Sequence, residues 1–110
     1  MQNEFLGHQL DPDIVGAIPP HTLQSLKSWA SKGQPGGHFL RAVLTNDLKE
    51  AVSRGDSENL RALVPIVKFL YNYCPDVCWG SEVNYEYWLR KTAPAGYNAA
   101  RTPTAMDSKP

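Results

Sequence analysis

From His38 onward the chain sets Leu40, Val43, Leu44, Leu48, Ala51 and Val52 at helical spacing, with Arg41, Lys49 and Arg54 turned away from them. A stripe of that width is the pattern of a helix with one face on a hydrophobic core. It predicts a helix over residues 38–54, closed by Gly55. Everything else in a short chain must pack against such an element or lie outside the core.

Glycine and proline divide the rest. Pro19-Pro20 opens a segment in which Leu23, Leu26 and Ala30 recur at helical spacing beside Trp29. Proline suits a first turn because its missing N–H would be unpaired there anyway. Gly33 after Lys32 suits a C-terminal cap, so the first helix is expected over 20–32. Gln34-Pro35-Gly36-Gly37 is a turn.

Asp56 opens a third helix as an N-cap, and Glu58 suits the positive end of its dipole. Leu60, Leu63, Val64, Val67, Leu70, Tyr71 and Cys74 carry the period through Pro65, which predicts one kinked helix over 57–74, ended by Pro75. Ser81 can cap a short fourth helix over 82–91 bearing Val83, Tyr87 and Trp88.

The expected fold class is all-α: a small bundle of three to four helices. It is flanked by an irregular N-terminal arm over 1–17 and a flexible tail over 92–110, leaving a helical domain over 18–91. In the arm, Gly7, Pro12 and Gly16 interrupt the period of Phe5, Leu6, Leu10, Ile14 and Val15. The tail is rich in proline and small polar residues and lacks apolar surface to offset ordering entropy.

The chain has 110 residues, 11 Lys plus Arg against 11 Asp plus Glu, and a formal net charge of zero. That balance argues against a specific nucleic-acid binder, which needs a basic footprint, and against an acidic nucleic-acid mimic. No apolar run approaches the roughly 20 residues of a membrane span, and the first ten residues lack the pattern of a signal peptide. A cytoplasmic location is expected.

The stretch 18–81 reads IPPHTLQSLKSWASKGQPGGHFLRAVLTNDLKEAVSRGDSENLRALVPIVKFLYNYCPDVCWGS. It resembles a group of small helical proteins encoded by bacteriophages and prophages. The likeness is carried by Pro20, Gly37, Phe39-Leu40, Ala42-Val43-Leu44, Asn46-Asp47-Leu48, Glu50-Ala51, Asp56, Asn59, Ile66-Val67, Tyr71-Asn72, Pro75 and Cys78-Trp79-Gly80-Ser81. It covers a little over half of the chain, and Pro65 is where a departure from the group is expected. The resemblance implies a phage or prophage setting, hence the cytoplasm of a host cell. It implies no activity.

Three places could receive a ligand. Gly36-Gly37-His38 brings backbone N–H groups to a helix start with Arg41 one turn in, which suits a phosphate or carboxylate; an ordinary glycine turn before a helix is the commoner explanation. Asn46 and Asp47 fall near the middle of the helix expected over 38–54, a place that helix propensity disfavours for both. A carboxylate beside the apolar stripe needs a partner in the fold or in a ligand. Trp79-Gly80-Ser81 sets a flat ring beside a helix start, suited to stacking on a base, or to closing a small core.

Cys74 and Cys78 are read as packed thiols. His8, His21 and His38 fall on separate segments, so a metal site is not expected, nor is a cofactor. No nucleophile, base and orienting group share a spacing, so the chain is not expected to be an enzyme. The leading reading is a non-catalytic, phage-type binding protein, an anti-defence inhibitor or adaptor acting on a host protein. The alternative is a sequestering protein for a nucleotide signal of host immunity. A core of about 70 ordered residues supplies little surplus stability, so a homo-oligomer is expected. A helical dimer would bury Trp29, Phe69 or Tyr73 wherever the monomer exposes them.

Overall fold

Residues 4–92 are described by the computed structural model. The chain is mostly α-helical, but the described residues form seven helices where three to four were expected. Two of the long expected helices are each broken in two, and the arm holds a further helical turn.

The arm is ordered against the domain. Strands β1 (Glu4–Phe5) and β2 (His8–Gln9) pair antiparallel, Phe5 opposite His8. Leu6 and Gly7 between them have φ of 52° and 83°, the two positive values that a tight hairpin turn of the twist-matched kind requires. Helix α1 (Pro12–Val15) follows, capped by Asp11, whose Oδ1 accepts from the Asp13 N–H at 2.9 Å. Leu10 and Ile18 are buried, and the Phe5 ring lies 5.7 Å from that of Phe69. The Asp11 N–H donates to the Tyr73 hydroxyl at 2.9 Å. The arm thus seals one side of the core.

Helix α2 (Pro20–Lys32) has the bounds its punctuation predicts. Gly33 ends it at φ 67°, a left-handed conformation that glycine adopts without penalty. Trp29 is wholly buried at the centre of the domain. Its indole N–H donates to the Cys78 carbonyl at 2.9 Å, and its ring stacks on Tyr85 with centroids 4.6 Å apart. The Trp88 indole N–H in turn donates to the Trp29 carbonyl at 2.9 Å. Both buried indoles are therefore satisfied, as burial of such groups requires. The buried Thr22 hydroxyl donates to Asn59 Oδ1 at 2.6 Å.

The expected helix over 38–54 is α3 (His38–Leu44) and α4 (Leu48–Arg54). The expected helix over 57–74 is α5 (Ser57–Arg61) and α6 (Leu63–Tyr73). Asp56 caps α5 as predicted, accepting from the Asn59 N–H at 2.8 Å. Pro65 does not kink a continuous helix. It lies in the first turn of α6, whose opening hydrogen bond runs from the Ile66 N–H to the Ala62 carbonyl, so the proline removes no helical bond.

A single 3-10 turn, Asp76–Cys78, leads to α7 (Glu82–Thr92), one residue longer than expected. Ser81 caps α7, its Oγ accepting from the Asn84 N–H at 3.0 Å. Apart from Thr92, the expected flexible tail lies outside the described residues. No helix among the described residues is long and apolar enough to cross a membrane.

Candidate functional site

The break between α3 and α4 is built by Asn46 and Asp47. Asn46 takes φ 64°, the left-handed position that asparagine fills when glycine does not. Its N–H donates to the Val43 carbonyl at 3.1 Å, and the Asp47 N–H reaches back to the Ala42 carbonyl at 2.8 Å. This is the paired backward bonding of a Schellman stop. Asp47 then starts the next helix, its Oδ1 accepting from the Glu50 N–H at 3.1 Å. The carboxylate expected to lie partly buried in mid-helix is instead an exposed N-cap.

The break redirects the apolar stripe. Leu40, Val43, Leu44 and Ala51 are buried, but Leu48 is 66% exposed and Val52 lies outward with it. Helix α6 departs from its expected face in a similar way. The core takes Ile66, Phe69, Leu70 and Tyr73, while Val64 (64% exposed), Val67 and Tyr71 (75% exposed) face outward. A helix as apolar as Leu63–Tyr73 offers two faces that periodicity alone cannot rank.

Those displaced side chains line one concave surface. A groove of about 460 Å³ runs between α4 and α6. Ala42, Val43 and Ala51 lie buried at its base. Leu48 lines the α4 side; Val64, Val67 and Tyr71 line the α6 side; Trp79 joins them from the loop before α7. Its charged lining residues are Asp47, from the break, and Lys68, from α6.

Trp79 is fixed by its backbone. The next residue, Gly80, donates its N–H to the Leu44 carbonyl at 2.8 Å, and Asn84 Nδ2 donates to the Trp79 carbonyl at 2.8 Å. Gly80 has φ 105°, which favours glycine. The ring is therefore held beside the end of α3, partly exposed toward the groove.

Of the nine candidate residues, the fold brings Asn46, Asp47 and Trp79 into one groove. Gly36, Gly37 and His38 are exposed at the start of α3 and do not line it. Arg41 is engaged elsewhere: its guanidinium pairs with Glu82 at 2.9 Å and lies 5.2 Å from the Tyr85 ring centre. At the third place, the Gly80 N–H donates to the Leu44 carbonyl and the Ser81 Oγ accepts from the Asn84 N–H. Leu48, Val64, Val67, Lys68 and Tyr71 were not singled out from the sequence as site residues. The available signal was that residues 63–73 carry two apolar lines, 64, 67 and 71 beside 66, 69, 70 and 73, of which one helix can turn only one fully to the core.

Cys74 and Cys78 are both free thiols and both buried. The hydrogen bond between them, then burial, pushes the Cys74 thiol well above the ordinary thiol range, and the same bond draws Cys78 below it.

No family model, no curated protein and no solved structure matches the chain.

Proposed function

We propose that this chain is a non-catalytic binding protein of the phage or prophage type, acting in the host cytoplasm as an inhibitor or adaptor of a host protein. The observation that supports this reading is the groove between α4 and α6, where aliphatic and aromatic side chains stand exposed together. Scattered exposed apolar residues are ordinary, but a concave cluster of them is the form of a surface that buries a partner's apolar side chains. The chemistry is association: a partner seated in the groove displaces water from its apolar area, a gain of roughly 25 cal/mol per Å² before association costs.

The sequestering of a nucleotide has less support. That reading rests on the helix starts at 36–41 and 79–81 and on the aromatics near them; the Arg41 guanidinium already pairs with Glu82, the Gly80 N–H already donates to the Leu44 carbonyl, and residues 36–38 do not line the groove that Trp79 joins.

The test is capture from a bacterial host lysate on immobilised wild-type chain and on Val67→Asp, with the retained protein identified and rebound in pure form. One protein retained by wild type and lost by the variant supports the reading. No specific capture, or equal capture by both, contradicts it.

A further inference from the structure

We infer that in the free protein the groove is covered by the same groove of a second copy, the two related by a twofold axis. The inference rests on the reading of this groove as a protein-docking surface and names what occupies it before a host target does.

The surface carries its own complement. Val64, Val67 and Tyr71 lie on α6 at the spacing of one helix face and stand exposed. Residues three and four apart form a ridge on a helix, and such a ridge is what an apolar groove receives. Because that ridge is also one side of the groove, a single patch supplies both the part that inserts and the part that accepts. That is the condition for an isologous interface.

Charge gives the second argument. The groove's two charged lining residues are of opposite sign and on opposite sides, Asp47 at the α3–α4 break and Lys68 on α6. Among the described residues neither takes part in an ion pair within the chain. A twofold axis along the groove sets each Asp47 toward the other copy's Lys68, so the pair forms twice and every one of these charges is answered. A partner of uniform charge would leave one of them facing its own sign. Zero net charge also removes long-range repulsion between copies.

A host target would then compete with the second copy for the groove. Sedimentation of the full-length chain across the micromolar range tests this. The mass is expected to rise from the monomer to the dimer value with concentration. Val67→Asp is expected to hold it at the monomer value while circular dichroism stays unchanged. Lys68→Glu and Asp47→Lys, each alone, are expected to weaken the dimer by about tenfold. Mixed together they are expected to dimerise again. In each heterodimer the two introduced side chains face each other with opposite charge, and the native Asp47 of one chain faces the native Lys68 of the other.

Wild type that stays monomeric throughout overturns the inference. So does a dimer that Val67→Asp leaves intact, or a mixture no tighter than its separate components. The two readings fail separately. A monomer that still captures a host protein through Val67 overturns self-pairing alone. A dimer through Val67 that captures no host protein supports self-pairing and contradicts the host-protein reading.

Discussion

The backbone N–H of Gly80 donates to the carbonyl of Leu44 across 2.8 Å, tying the loop that carries Trp79 to the last turn of α3. Through this bond the end of one helix and the approach to another share a fixed geometry, and Trp79 takes its place at the groove. Gly80 meets the bond at φ 105°. Gly80→Ala is therefore expected to cost about 1–2 kcal/mol, the penalty of forcing a side chain into that region. Urea unfolding checks it, with a midpoint lowered at unchanged slope.

Asp47 serves the fold as a cap. Asp47→Ala is expected to lose about 1 kcal/mol, and Asp47→Asn, which retains a capping oxygen, only a few tenths. Equal losses in thermal unfolding would show that the charge, and not the cap, sustains α4.

How much of this was legible depends on where the information sits. Helix α2 and the start of α7 are specified locally: Pro20 at the first position, Gly33 past the last, Ser81 as a cap. Each signal acts within a few residues, and each element falls where it predicts. The break at Asn46-Asp47 was also written locally, in two residues that disfavour a helix interior. An apolar period running across it masked it, because Leu48 and Val52 keep the spacing of the stripe while facing away from the core. The face chosen by α6 was not legible. Residues 64, 67 and 71 compete with 66, 69, 70 and 73, and tertiary packing, including that of α1 and Phe5 on α6, selects between them. The groove is a consequence of both events, so Asn46, Asp47 and Trp79 could be noted while Val67 and Tyr71 were assigned to the core.

Pro65 gives a direct check on the split of the expected long helix. A proline in a helix interior costs about 3 kcal/mol, so Pro65→Ala would stabilise a kinked continuous helix by a similar amount. In the first turn of α6 the proline costs nothing of that kind. Pro65→Ala is expected to change stability by less than about 1 kcal/mol, toward lower stability through the freer unfolded chain. Denaturant unfolding separates the two outcomes.

The thiol pair makes a prediction in pH. The Cys74 thiol, by its hydrogen bond, draws Cys78 below the ordinary thiol range, while burial opposes that shift. Cys74→Ala removes the donor and leaves the burial. The Cys78 pKa is then expected to rise, so its thiolate appears at higher pH than in wild type. Ultraviolet titration of thiolate absorbance in the folded protein measures this; an unchanged or lowered onset would contradict the bond.

The claim that the groove docks a protein is tested most directly by calorimetry. A host protein identified by capture, once pure, is titrated into wild-type chain and into Val67→Asp of equal thermal stability. A docking groove predicts binding to wild type with a negative heat-capacity change, the mark of apolar burial, and an affinity at least about tenfold weaker for the variant. Equal affinity for both chains would place the partner on another surface and contradict it.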